Sequence, residues 1–338
     1  MSTGYRNLNR KRIFVIVLMA IVMILLIFAD LFTGSSNMSV KEAIDILLDG
    51  PSNESKYHFI LWAVRMPMTM TCLGVGASLA LAGGQMQTIL QNPLASPYTL
   101  GISSAAGFGA ALSVVTGFPF IPISWINISV SALIFALGTS ALIFTLCKRN
   151  ADTKTMILIG IVVTFLFSAL QSLMQYLASQ EQLSEIMHWM FGSLSKASSQ
   201  GAVVCIACFV FIFILSMGST WQLTCLSAGE ERAKSLGIDT ERLRRKIYLC
   251  SSLLTAVSVS YVGSIGFIGL VAPHLARSYV GDDQRFLLVL SPIMGAIILL
   301  AASIVAKIMK PGEIIPVGII TNLVGVSFLL YLLLRKRL

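Results

Sequence analysis

Phe267-Ile268-Gly269-Leu270-Val271-Ala272-Pro273-His274-Leu275-Ala276-Arg277-Ser278-Tyr279-Val280 is the stretch on which the topology turns. A helix needs about 20 apolar residues to cross about 30 Å of hydrocarbon. The apolar core here, Phe267–Leu275, is too short to cross alone, and Pro273 interrupts it. Outward from it lie nine longer apolar stretches: Ile13–Phe32, Met66–Leu90, Tyr98–Thr116, Ile126–Cys147, Thr155–Ala178, Gly201–Trp221, Ile247–Gly266, Phe286–Ala306 and Ile314–Leu334. Tyr98–Thr116 is rich in Gly, Ala and Ser, as membrane helices are where they approach closely. With the N-terminus inside, nine spans would put Arg335, Lys336 and Arg337 outside, whereas ten put them inside, as the positive-inside tendency prefers.

Counting the basic residues supports ten. The inside segments then hold eighteen of the 24 Lys and Arg: Arg6, Arg10, Lys11, Arg12; Lys148, Arg149, Lys154; Arg232, Lys234, Arg242, Arg244, Arg245, Lys246; Arg277, Arg285; and the C-terminal three. Outside remain Lys41, Lys56, Arg65, Lys196, Lys307 and Lys310. The expected fold is therefore an all-α polytopic membrane protein of about ten transmembrane helices, with 267–280 a short or broken span. Residues 1–12 form a basic cytoplasmic tail, 13–334 the transmembrane domain and 335–338 a second cytoplasmic tail. The first span is too long for a signal peptide, and no clear small-x-small cleavage site follows it.

Composition agrees: 56% of the residues are hydrophobic, 12% are charged, and the mean hydropathy is +0.84. The net charge of +9 is spread over five inside segments, which argues against nucleic-acid binding. Pumps and ion-coupled carriers keep an ionisable residue near the bilayer centre. The spans here carry none through their middles, so an ion-coupled secondary transporter is disfavoured and the energy source is expected on another polypeptide. There is no G-x-x-x-x-G-K-[ST] phosphate loop, no H-E-x-x-H and no nucleophile elbow, so neither bound ATP, a metal nor a catalytic site is expected in this chain. Cys205-x-x-Cys208 lies in an apolar helix without a second ligand pair and reads as packing.

Between the spans, Ser39 and Glu42 form a capping box that opens a short outside helix to Leu48. A second outside helix is expected over Glu181–Phe191, ended by Gly192. The longest inside loop reads as two helices. Gly229 to Leu236 is stopped by Gly237, and the next starts after Asp239 and runs through Lys246 into a span. A solvated connector and a docking surface for an inside partner both fit that loop. In Thr155–Ala178, Thr164, Ser168, Gln171 and Gln175 fall on one helical stripe. Such residues in hydrocarbon need a partner or water. Helix–helix hydrogen bonding is one reading, and the alignment of four favours the other, a translocation path.

The ordered blocks resemble a known family, the FecCD-type permeases of bacterial ABC importers for ferric siderophores, haem and cobalamin. They are Gly76-Ala77-Ser78-Leu79-Ala80 with Gly83 and Gln87; Asn92-Pro93-Leu94-Ala95 with Pro97 and Gly101; Trp189 and Gly192-Ser193-Leu194; Gly229-Glu230-Glu231 with Ala233 and Leu236-Gly237; Ile265 to Val271 with Pro273-His274; and Glu313 with Pro316-Val317-Gly318-Ile319. The resemblance implies a dimer of permease subunits, two ATPase subunits below and a solute-binding protein above. It makes residues 229–246 the ATPase-coupling element, with Glu230, Glu231, Ala233, Leu236 and Gly237 its marked positions. It makes Arg65 and Lys307 basic docking residues for the binding protein. The family's second arginine is Met68 here, and its arginine near the end of the ninth span is Lys307, departures that fit a heterodimer. The implied activity is permeation of an iron–siderophore complex through the inner membrane, with haem or cobalamin as the alternative. No cofactor is expected on this chain, and ATP is used by a partner.

Overall fold

The computed structural model describes residues 2–34, 38–51, 55–117, 124–146, 153–310 and 313–335. Helix α1 (Ser2–Phe32) is followed by the short α2 (Val40–Asp49) and α3 (Lys56–Phe59). A π-helical turn, Ile60–Arg65, leads directly into α4 (Met66–Ile89), and a 3-10 turn, Pro97–Leu100, precedes α5 (Ile102–Thr116). Then come α6 (Ser124–Leu146), α7 (Thr153–Leu177), α8 (Gln180–Met190), α9 (Ser199–Met217), α10 (Thr220–Ser227) and α11 (Glu230–Ser235). The chain closes with α12 (Thr240–Val262), α13 (Ile268–Val280), α14 (Gln284–Ile308) and α15 (Val317–Arg335).

Each of the ten expected spans falls on a helix. Among the described residues, six helical stretches, in α1, α3–α4, α6, α7, α9 and α14, are long and apolar enough to cross a membrane, and α5 and α15 are shorter apolar helices. Helix α12 begins with two charged turns, and α13 has only 13 residues. The break before α13 runs through Gly263 (φ 76°) and Phe267, which takes the left-handed φ of 65°. The two short helices between spans form where expected: Ser39 accepts from the Glu42 N–H, the Glu42 carboxylate accepts from the Ser39 N–H, and α8 spans the second. Lys148, Arg149 and the tail beyond Arg335 lie outside the described residues.

Helix α4 is the axis of the fold. Nearly all of its side chains are buried, and it packs on α9, α12, α13 and α14. Lipid chains are as apolar as leucine, so packing here relies on close contact and internal hydrogen bonds rather than on a hydrophobic drive. The run Gly74 to Gly84 supplies the closeness. A Cβ at Gly76 would stand 2.6 Å from the Gly295 carbonyl oxygen of α14, and one at Gly83 would overlap the Gly269 carbonyl of α13. Gln85 supplies the bonding, donating to Ser216 of α9 at 2.5 Å and accepting from Ser251 of α12 at 3.1 Å.

Tertiary contacts fix the direction of the helices. Arg12 pairs with Asp283 at 3.2 Å, so the start of α1 lies beside the α13–α14 turn. The far end of α1 meets the far end of α14, where Asp30 pairs with Lys307 at 2.8 Å. Helix α15 runs from Gly318 beside Phe191, past Phe267, to Phe328 against His274. It therefore finishes toward the end at which α1 begins.

Candidate functional site

Two ends of the bundle hold the sequence-marked residues. At the first end, α11 is bounded by Gly229 (φ 121°) and Gly237 (φ 78°), two backbone shapes that side-chain-bearing residues rarely adopt. The helix closes by bonds from the Gly237 N–H to the Lys234 carbonyl and from the Ile238 N–H to the Ala233 carbonyl. Asp239 caps α12 by accepting from the Arg242 N–H at 2.9 Å. Ala233 is wholly buried and seats the short helix on the bundle. Glu230 ties it down, lying 2.9 Å from Lys234 and 2.6 Å from Arg244 of α12. The hydrogen bond from Lys234, with the Arg244 guanidinium beside it, holds the Glu230 carboxyl below its ordinary pKa. Arg244 also donates to the Ile89 carbonyl at 3.2 Å. A continuous polar route thus runs from α11 through Glu230 and Arg244 to the last turn of the central helix α4. Glu231 and Leu236 play no part in that clasp. Leu236 is 62% exposed and points away from the bundle.

Next to this element lies the turn joining α4 to α5. Gln91 takes φ 47° and donates to the Leu226 carbonyl, and the Asn92 side chain accepts from the Leu94 N–H. Gly101 (φ 78°) lies against Thr164 of α7. A cavity of about 340 Å³ opens between α11–α12 and α6–α7, lined by Phe144 and Met156 of α6 and α7 and by Glu230, Arg244, Arg245 and Tyr248 of α11 and α12.

The polar stripe of α7 does not form one open lining. Thr164 bonds its own helix at the Gly160 carbonyl. Gln171 is buried, its amide oxygen 2.9 Å from where a Cβ on Gly107 of α5 would stand. Gln175 donates to the Met190 sulfur in the last turn of α8 at 2.9 Å. Ser168 is exposed. Three of the four thus meet groups of the same chain.

The second end corrects the expectation for Arg65 and Lys307. Neither projects outward: they are 4% and 7% exposed. Arg65 donates to the Leu31 carbonyl at 2.9 Å and the Phe32 carbonyl at 3.2 Å. Lys307 donates to the Asp30 carbonyl at 2.9 Å and pairs with its carboxylate. Thr69 donates to the other carboxylate oxygen at 2.6 Å. The last carbonyls of a helix have no partner within it, and nearby cations commonly satisfy them. These two side chains therefore close the end of α1. The sequence reading passed over Asp30, although its signal was present: an acid within an apolar run implies a buried partner.

Three glycines complete this end. The Gly318 N–H donates to the Gly192 carbonyl, Ser193 donates to the Val262 carbonyl, and a Cβ on Gly263 would overlap the Trp189 carbonyl. The described cysteines are free thiols.

Comparison with known proteins matches residues 21–335 to the FecCD transport family. An ABC transporter permease protein of Methanocaldococcus jannaschii is 36% identical over 98% of this chain and 97% of its own length. The hemin transport permease HmuU of Yersinia pestis is 33% identical over 93% of this chain and 95% of its own. Other relatives are named for molybdate, iron chelatin and vitamin B12. Among solved structures, a metal-chelate type ABC transporter in an inward-facing conformation superposes with a TM-score of 0.82 at 31% identity, covering 96% of this chain and 99% of that one.

Proposed function

The chain belongs to the FecCD transport family, and from that premise we propose that it carries a ferric-siderophore complex through the cytoplasmic membrane. As the permease subunit of an ABC importer it works with a separate ATPase and an extracytoplasmic binding protein. The observation behind the cargo is the likeness along nearly the whole chain to a metal-chelate type transporter. Hemin, vitamin B12 and molybdate, the cargoes in relatives' names, are the competing outcomes. Deleting the gene and supplying iron as different ferric siderophores or as hemin tests this. Growth and labelled uptake should fail for one siderophore class and persist on hemin. Intact siderophore uptake with loss of hemin, cobalamin or molybdate uptake would reassign the cargo.

The end bearing α11 faces the cytoplasm in this reading, because Arg12, Arg244, Arg277 and Arg285 gather there. Residues 229–246 then meet the ATPase. Leu236 and Glu231 supply the exposed contact, Ala233 and Gly237 hold its shape, and the Glu230–Arg244 pair transmits its motion to α4. Leu236→Asp should sharply reduce co-purification of the ATPase and leave the thermal midpoint of the permease unchanged. Glu230→Ala should instead preserve assembly and lower the uptake obtained per ATP hydrolysed. Unaltered uptake in both variants would remove the coupling assignment.

The lowered Glu230 pKa sets a pH window for the clasp. A carboxylate whose folded pKa is depressed contributes stability above its unfolded pKa and loses it as pH falls through the folded one. The α11–α12 clasp should therefore persist at neutral pH and loosen only below the ordinary carboxylate range. Hydrogen exchange of α11 amides against pH reads this directly.

A further inference from the structure

The start of α1 carries a feature that neither transport nor coupling explains. The helix has 31 residues, about 46 Å at 1.5 Å per residue, against about 30 Å of hydrocarbon. Its apolar run begins at Ile13, so the turns before it reach into the headgroup layer and beyond.

The cations in those turns are divided by helical face. Arg12 points at the bundle and pairs with Asp283 of the α13–α14 turn. Arg6 and Arg10 are exposed and lie on the opposite side. From Arg6 and Arg10 the same stripe continues through Phe14, Val17, Ile21 and Leu25 at steps of four, four, three, four and four. Those four apolar side chains are 50–67% exposed, which is the lipid-facing surface of a membrane helix. Two guanidinium-bearing residues thus extend the lipid face past the hydrocarbon boundary. On the bundle side, Arg12 and Arg285 share the carboxylate of Asp283, and both guanidiniums lie within 6 Å of the Phe286 ring centre, so these two cations are engaged within the protein.

We propose that Arg6 and Arg10 form a binding surface for the phosphate headgroups of anionic phospholipids at the end of the bundle where α1 begins. Charge complementarity and continuity with the lipid-facing stripe of α1 select lipid over a protein partner. A basic residue near a charged bilayer surface is worth roughly a five-fold preference. Phosphate is a bidentate match for guanidinium, so lysine at these positions should bind less well than arginine.

The test uses the full-length permease in detergent, titrated with phosphatidylglycerol or phosphatidylcholine and read by native mass spectrometry. Wild type should prefer phosphatidylglycerol, and the preference should shrink as salt rises. Arg6→Gln combined with Arg10→Gln should lower the preference by an order of magnitude or more, with the thermal midpoint in phosphatidylcholine unchanged. Equal binding of the two lipids to wild type, or an unaltered preference in the double variant, overturns the proposal. So does a double variant that keeps its lipid preference and loses the ATPase, because the surface would then belong to a protein. Binding of soluble glycerol phosphate as tight as that of the lipid would make it a free-anion site and likewise overturn it.

Discussion

Gly83→Ala is expected to eliminate the folded permease. The added methyl would overlap the Gly269 carbonyl on α13, with the Gly269 Cα also close. Both obstacles are backbone, so no rotamer change relieves the clash, and α4 would have to move away from α13. Helix α4 also packs on α9, α12 and α14, and its other close crossing, Gly76 on Gly295, lies two turns away on the same helix. The displacement therefore cannot stay local. Overpacking a core costs about 1–3 kcal/mol when side chains can adjust, and a backbone-to-backbone overlap lies at or beyond the top of that range. Membrane expression, a monodisperse chromatographic peak and uptake should all be lost. Gly138→Ala is the matched control, because nothing lies within 4 Å of a Cβ at that position. A Gly83→Ala variant with a wild-type thermal midpoint would mean that α4 and α13 do not cross as described.

Lys307→Met should be nearly as damaging, and for an electrostatic reason. It leaves the Asp30 carboxylate, 0% exposed, with Thr69 as a hydrogen-bond partner and the Arg65 charge nearby. Removing one partner of a buried ion pair costs about 3–5 kcal/mol, whereas replacing both by apolar residues of similar volume is often neutral. The double variant Asp30→Leu, Lys307→Met should therefore recover most of the thermal stability and uptake lost by the single one. The rescue separates the two roles considered for Lys307. A binding-protein contact predicts an unchanged midpoint in the single variant, weakened binding-protein affinity and no rescue. The closing of α1 predicts a lowered midpoint and recovery. Asp30→Asn alone should fall in between, because the amide oxygen still accepts from Thr69 while Lys307 loses its counter-charge.

The corrections at Arg65 and Lys307 share one cause. A basic residue at the end of a span can reach water or turn back onto a neighbouring helix. Arg65 turned back because α1, more than thirty positions earlier, ends beside it with two unbonded carbonyls. Lys307 turned back because Asp30 lies 277 positions away in sequence and in contact in space. Periodicity placed Gln171 and Gln175 on one face of α7, and it carries no information about what that face meets. In the fold, Gln171 meets α5 at Gly107 and Gln175 meets α8 at Met190. The helix pair at 229–246 was more legible, since its features are local: glycines where the backbone turns left, an acid at the start of a short helix, and a capping aspartate before the next.

The sequence by itself determined the ten helices, the break before Ile268 and the two interhelical caps at Ser39 and Asp239. Apolar run length, capping chemistry and the asymmetry of positive charge are all properties of neighbouring residues. Tertiary structure alone decided which polar groups are free and which are occupied. In hydrocarbon every buried donor, acceptor and charge must find its partner within the protein, and that partner is fixed by which helices cross. Asp30, Thr69, Arg65 and Lys307 became one cluster because α1, α4 and α14 meet at one end.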